Sequence, residues 1–301
     1  DRRQRQMCIR DRLRALQQMG KQPAAFKCGP DYIDPMFHRE VLGVDSKNLD
    51  LFFSEEDILK EGYLKHTKDA DITITEGVMG FYDGMSLDSV KGSSYDVAQT
   101  LGLPVILVIN ARGAAMTLAA VVKGIVEFRP DSNIRGILLN RVSAMLYPRL
   151  KAMLETELEW IGHGEIKVVG YMPEDEVFHL ESRHLGLTIP QEQEALRERL
   201  EALGDRLEEW LDISEILRIA KGAQALVDAA KEKKAPGTVQ EIQAKPLRRM
   251  GVALDEAFCF YYEENLEFLQ EHGMGAGFLQ SAAGSAPSPV SYTHLTLPTI
   301  A

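Results

Sequence analysis

Cysteine is scarce in this chain and never closely paired. Cys8, Cys28 and Cys259 are its three cysteines among 301 residues, and no CxxC spacing occurs. That excludes a disulfide framework and a cysteine-based zinc site, and it fits a reducing, cytoplasmic setting. No apolar run approaches the length of a membrane span, and no signal peptide is visible. Basic charge is in deficit: the formal net charge of -11 argues against nucleic-acid and membrane-surface binding, which both need basic patches. A further absence concerns nucleotides. The pattern GxxxxGK followed by Ser or Thr, whose backbone N–H groups cradle phosphates, occurs nowhere.

The chain does have a globular composition, 45% hydrophobic and 26% charged, and enough length for one large domain or two medium ones. Its two ends stand apart. Residues 1–12 (DRRQRQMCIRDR) are basic with little apolar periodicity, and 291–301 (SYTHLTLPTIA) follow an Ala/Gly/Ser/Pro stretch. Both resemble translated sequencing-adapter read-through, so 1–12 and 281–301 are set aside as artefactual or disordered.

Between them, apolar segments alternate with helical patterns. Pro23–Phe26, Asp71–Thr75, Leu103–Ile109, Ile134–Leu139 and Ile166–Tyr171 read as strands. The third, LPVILVI, is nearly all apolar and β-branched, as in a parallel sheet covered on both faces. Leu13–Met19, closed by Gly20, reads as the end of a helix. Glu55–Thr67, Asp96–Leu101, Ala115–Glu127 and Pro148–Glu159 read as helices, and Gln191–Leu217 as a charged helical stretch covering the sheet. This alternation predicts an α/β fold with a doubly wound, mostly parallel sheet and a site at the carboxyl ends of its strands. It occupies 13–230. Residues 231–247 read as a linker. A strand at Met250 and a helix over Tyr262–His272 start a second α/β domain, 248–280, which the chain enters without completing.

Two stretches carry chemistry. Phe26–Pro35 (FKCGPDYIDP) places Lys27 at a strand end, followed by a Gly-Pro turn and the acids Asp31 and Asp34. Lysine there suits phosphate oxygens, although most lysines are solvated surface groups. Each aspartate alone fits a turn or helix cap equally well. Glu76–Gly84 (EGVMGFYDG) ends a strand with Glu76, then packs Gly77, Gly80, Asp83 and Gly84 together. A strand-end carboxylate suits Mg2+ beside a nucleotide, and glycines let backbone approach a bulky ligand.

The ordered series FKCGPDYIDPMFH, SKNLD at Ser46–Asp50, EGVMGFYDG, GSSYDVAQTLGLPVILVINARG at Gly92–Gly113, ILLNRV at Ile137–Val142 and SRHLGL at Ser182–Leu187 resembles the cobyrinic acid a,c-diamide synthase family. Val252–Gly273 is similar to the start of that family's glutaminase domain. The resemblance implies a dethiobiotin-synthetase-like fold of the P-loop NTPase type. It implies ATP and Mg2+, two carboxylates of a corrin precursor activated as acyl phosphates, and attack by glutamine-derived ammonia. Position by position, it implies that Lys27 neutralises the transferring phosphoryl group and that Glu76 and Asp31 hold Mg2+. Asp34 and Asp83 line the metal and substrate region, and Tyr32 packs against the tetrapyrrole. Asn140 meets the adenine edge, Arg112 meets phosphate or substrate acids, and Gly77 and Gly80 face the nucleotide. Arg183 and His184 are weaker candidates. Cys259 reads as a buried structural thiol rather than the glutaminase nucleophile.

Against the family pattern, the phosphate loop and the glutaminase cysteine are missing from the sequence. The expectation is therefore a fragment without both ends and without activity of its own, with homo-oligomer formation left open. Nickel-sirohydrochlorin is an alternative substrate for the same chemistry. Cobyric acid synthase ranks lower, because its activating motifs differ from FKCGPDYIDP. A non-catalytic partitioning-type ATPase or an inert remnant are the readings from other classes.

Overall fold

The computed structural model of this chain describes residues 13, 16–17, 19–174, 206–207, 209–223, 226, 248–253 and 261–279. The SRHLGL stretch with Arg183 and His184, Cys8, Cys259, the linker 231–247 and both chain ends lie outside the described residues. The chain divides into two compact units, Asp1–Lys233 and Lys234–Ala301.

In the first unit six strands alternate with helices. They are β1 (Pro23–Cys28), α1 (Ile33–Leu42), β2 (Ser46–Leu49), α2 (Glu56–Thr67), β3 (Ile72–Glu76), α3 (Ser94–Thr100), β4 (Val105–Asn110), α4 (Met116–Glu127), β5 (Ile134–Asn140), α5 (Tyr147–Trp160) and β6 (Lys167–Met172). Every pairing is parallel, with a helix in each crossover, as parallel neighbours require. The α/β character expected from the alternation is observed. The strands form two three-stranded sheets, β2-β1-β3 and β4-β5-β6. Among the described residues, β3 pairs only with β1 and β4 only with β5. Burial follows this split. The middle strands β1 and β5 are almost wholly buried, whereas β3 buries only Glu76 and β4 only Leu107.

Two apolar clusters hold the unit together. Alternate residues of β1 point to opposite faces: Ala24, Phe26 and Cys28 join Leu49, Leu59, Val97 and Leu101 on one side. Ala25 joins a larger cluster with Val41, Leu107, Leu138, Leu154 and Val168 on the other. That larger cluster draws on residues of both sheets. Lys27 shares the Ala25 face, which sets the direction of its side chain.

Two elements depart from the sequence expectation. α1 and β2 lie where the sequence reading assigns no helix or strand. α1 carries Pro35 in its first turn, where a missing N–H costs nothing, and it ends at Gly43 in the left-handed region (φ 63°). β2 is the short polar run SKNL, without the apolar alternation that marks a strand. Of the charged helical stretch expected over Gln191–Leu217, residues 191–205 and 208 lie outside the described residues. Leu211 bridges to Gly170, and Asp212 begins a new helix, α6 (Ile213–Lys221), by accepting the Glu215 N–H at 3.0 Å. Gly170 permits this approach: a Cβ there would run into the Trp210 carbonyl and Leu211.

The second unit is a β-α-β element. β7 (Arg248–Ala253) and β8 (Met274–Leu279) pair in parallel around α7 (Glu263–Glu271).

Candidate active site

Parallel pairing puts Lys27 directly beside Glu76, as register partners on β1 and β3. α1 begins five residues after β1 and turns Asp34, in its first turn, back onto the same place. The Lys27 ammonium Nζ lies 2.7 Å from Asp34 Oδ2 and 2.7 Å from Glu76 Oε1. All three side chains are buried, Lys27 at 2% exposure. Burial pulls the Lys27 pKa down, but the charges of Glu76 and Asp34 more than reverse it, so the ammonium is held above its ordinary value of 10.5. One ammonium thus faces two carboxylates.

Behind it, His38 lies one helical turn beyond Asp34 on the buried face of α1, with Nδ1 3.0 Å from the Ser46 hydroxyl. The neighbouring Cys28 thiol is pushed up to about 12 by burial and stays protonated.

Three loops close over the ends of β1, β2 and β3. The Gly29 N–H donates to the Leu49 carbonyl at 2.9 Å, and Asn48 Nδ2 donates to the Asp31 carbonyl at 2.8 Å. A Cβ at Gly29 would come within 3.9 Å of Val78 in the third loop. Asp31 Oδ1 accepts the N–H groups of Ile33 and Asp34, at 2.9 and 3.3 Å, so it both opens α1 and fixes the backbone beneath Asp34. Tyr32, the residue before the helix, is exposed at the rim.

The EGVMGFYDG loop is built largely by its own residues. The Gly80 N–H donates to Asp83 Oδ2 at 2.8 Å, and the Val78 N–H to the Ser94 hydroxyl at 2.9 Å. A Cβ at Gly77 would meet that hydroxyl, one at Gly80 the Asp83 carboxylate, and one at Gly84 the backbone of Ser89 to Lys91. Phe81 and Tyr82 anchor the loop: Tyr82 packs on Tyr95 and Phe128, and its hydroxyl donates to the Ile125 carbonyl at 2.8 Å.

The end of the second sheet carries the remaining candidates. Asn140 is buried, pairs in register with Asn110, and its side-chain carbonyl finds no hydrogen-bond partner among the described residues. Arg112 is exposed, with its guanidinium 3.3 Å from Glu174, while Arg141 reaches the same carboxylate at 2.8 Å.

The structure thus brings Lys27, Asp34 and Glu76 into direct contact and places Asp31 and Tyr32 beside them. Asp83 is held in its own loop against Gly80, and Asn140 and Arg112 sit on the other sheet. Sequence reasoning missed His38 and Ser46. The sole signal was the i, i+4 spacing from Asp34, visible only once α1 is known. Among the described residues no cluster of three or more His, Cys, Asp or Glu forms a metal cage, and no helix is long and apolar enough to cross a membrane.

Fold and site define a parallel α/β protein with a buried lysine–carboxylate cluster at its strand ends, where such folds bind ligands. No family model matches the chain. It is 36% identical over 283 residues to the cobyrinate a,c-diamide synthase of Clostridium acetobutylicum, covering 94% of this chain and 61% of that protein. The protein of that name from Priestia megaterium is 37% identical over 260 residues, with coverages of 86% and 54%. The one from Methanococcus maripaludis is 36% identical over 252 residues, with coverages of 82% and 54%. The chain is a homologue of the cobyrinate a,c-diamide synthases over most of its own length, as its motifs implied. It spans between half and two thirds of the length of these relatives. Among solved structures, the MinD cell division protein of Aquifex aeolicus is similar at 12% identity and TM-score 0.38, over 67% of this chain and 92% of that one.

Proposed function

We propose that this chain carries the carboxylate-activating part of an ATP- and glutamine-dependent amide ligase. Its substrate is cobyrinic or hydrogenobyrinic acid, in cobalamin biosynthesis. The observation that carries the reading is the buried Lys27–Asp34–Glu76 cluster, set in a sequence 36% identical to a cobyrinate a,c-diamide synthase over 94% of its length.

A carboxylate is a poor electrophile. Its oxygen attacks the γ-phosphorus of ATP, the bond to the β-phosphate oxygen breaks, and ADP leaves. Ammonia released from glutamine then adds to the acyl-phosphate carbon, loses a proton, and expels inorganic phosphate. The same sequence on the second carboxylate completes the a,c-diamide. Such transfer depends on placement and charge neutralisation more than on covalent chemistry.

In this reading Lys27 supplies the positive charge next to the transferring phosphoryl group. Asp34 keeps Lys27 in place, and Asp83 with Asp31 lines the substrate side, where a carboxylate can orient the amine. Glu76 and Asp31 would hold Mg2+, which takes one or two protein carboxylates together with phosphate oxygens and supplies charge neutralisation there. The two carboxylates that converge there are oxygen donors of the kind a divalent cation takes. Asn140, with its unpartnered buried carbonyl, suits an amino-group donor such as the adenine edge. Arg112 is placed for phosphate or a peripheral acid, and Gly77 and Gly80 for a close backbone approach to the nucleotide. Tyr32 covers the tetrapyrrole.

A chimera tests this, with residues 21–174 of this chain replacing the aligned stretch of the Clostridium acetobutylicum relative. With ATP, Mg2+ and ammonia, the chimera is expected to convert cobyrinic acid to its diamide, followed by mass spectrometry. A folded chimera that hydrolyses ATP yet leaves cobyrinic acid and nickel-sirohydrochlorin unchanged sinks the proposal. Conversion of nickel-sirohydrochlorin alone shifts it to that substrate. The fragment reading has its own check: the 301-residue chain alone is expected not to bind ATP–Mg2+, and binding at the affinity of the chimera refutes it.

A further inference from the structure

α4 is apolar on its outer side as well as on the side that faces the sheet. Leu118, Ala119, Val122 and Val126 are buried. Met116 and Val121 are 60% and 48% exposed, Ala120 is exposed as well, and only Lys123 and Glu127 of its twelve residues are charged. A surface helix ordinarily pairs an apolar stripe with a polar opposite face, and one that is apolar on both sides is covered on both. Exposed apolar patches of this kind mark interaction surfaces.

A cavity runs along this helix. α4 and α5 leave about 190 Å³ between them, walled by Met116, Ala119 and Val122 on one side and by Leu154, Leu158 and Ile161 on the other. An apolar cavity of about 150 Å³ takes a benzene ring, so this one has room for a larger aromatic side chain. Trp160, the last residue of α5, stands on its rim with 82% of its surface in water. Two charges border the cavity, Lys123 from α4 and Glu157 from α5. Lys123 lies 4.0 Å from Glu127, an exposed contact of the kind that contributes little, and Glu157 has no ion pair among the described residues. The same patch therefore holds a ring and a slot for a ring, a cation and an anion. A surface that carries both halves of each contact is complementary to itself, and a twofold axis satisfies all of them together.

We propose that a second copy of this chain docks on the α4–α5 face in a twofold dimer, with Trp160 of each copy in the cavity of the other and Lys123 of each against Glu157 of the other. Tryptophan seated in a pocket is a typical energetic anchor of an interface, and charges at the rim fix its register. None of the candidate active-site residues lines this cavity, so the dimer leaves the lysine–carboxylate cluster uncovered.

Sedimentation equilibrium of the full 301-residue chain over a wide concentration range tests this, with a monomer–dimer equilibrium expected. Trp160→Ala is expected to raise the dimer Kd by about tenfold or more. Lys123→Glu and Glu157→Lys each set like charges at both symmetry-related contacts, so each alone is expected to weaken the dimer. An equimolar mixture of these two variants brings opposite charges together at both contacts and is expected to restore it. Lys60→Glu and Glu56→Lys, on the exposed Glu56–Lys60 pair of α2, change net charge equally and should dimerise as the unsubstituted chain does. The two tryptophans add a second readout: Trp210 is buried, so acrylamide quenching reports mainly Trp160 and should fall as concentration rises. A chain that is monomeric at every concentration overturns the proposal, as does association that Trp160→Ala leaves unchanged. Equal weakening by the α2 variants, or a mixture that does not restore the dimer, removes the Lys123–Glu157 contact and the twofold arrangement with it. A Trp160 already shielded from acrylamide in the monomer means that another segment of the same chain covers the cavity, and this too overturns the proposal.

Discussion

Lys27 is the residue on which this site turns, because two buried carboxylates depend on one ammonium. Lys27→Met keeps the volume but removes the ammonium that Asp34 and Glu76 both contact at 2.7 Å. Breaking a buried pair in this way costs about 3–5 kcal/mol, so the urea midpoint of Lys27→Met is expected to fall accordingly. An unchanged midpoint would show that the carboxylates protonate at little cost. The pH dependence has a definite sign. The folded pKa of Lys27 is raised above 10.5, so its stabilising contribution is complete below the unfolded value and is lost as pH rises through the folded one. Stability attributable to Lys27 is therefore expected to be flat from neutrality to about pH 10 and to decline above it. The unsubstituted chain and Lys27→Met should converge only at strongly alkaline pH. Glu76→Gln keeps shape and one side of the hydrogen bonding. In the chimera it is expected to abolish hydroxylamine-trappable acyl phosphate while the circular dichroism spectrum is unchanged. Full turnover at saturating Mg2+ would remove Glu76 from the chemistry. Lys27 and Glu76 were readable in the sequence as strand-end residues of the right chemistry. Their contact was not, because it follows from the register between β1 and β3, and no local pattern encodes a register.

At the scale of elements, the loop between β3 and α3 shows how structure and site share residues. Ser93 caps α3 by accepting the Asp96 N–H at 3.2 Å, and Asp96 in return accepts the Gly92 N–H at 2.7 Å. Ser93→Ala is expected to cost about 1 kcal/mol of stability, measurable as a lowered denaturation midpoint. Gly84→Ala is a harsher change, since its Cβ would meet backbone that cannot rotate away. It is expected to raise proteolytic cleavage within 78–92 without unfolding β1 or β5, and a cleavage pattern like that of the unsubstituted chain would refute it. Elements with a strong local pattern were legible. β4 announced itself as a continuous β-branched run, and α4 by its apolar spacing. α1 was hidden by Pro35 and by polar residues that look like a turn, and β2 by its brevity and polarity. The break at Leu211–Asp212 was invisible because its cause is the distant Gly170.

At the scale of the whole molecule, the apolar strands β3 and β4 are each paired on one side only among the described residues, while both line the same unit. Amides of β1 and β5, bonded on both sides, are expected to exchange slowest with deuterium. In β3 and β4 the amides facing β1 and β5 should be protected and the alternate ones fast, as mass spectrometry or NMR can resolve. Uniform protection along β3 or β4 would mean that their outer edges are covered in solution. An edge left open in solution would be a template for another chain's backbone. In that case light scattering would rise with protein concentration, and a lysine at Ile106 or Val108 on β4 would suppress the rise.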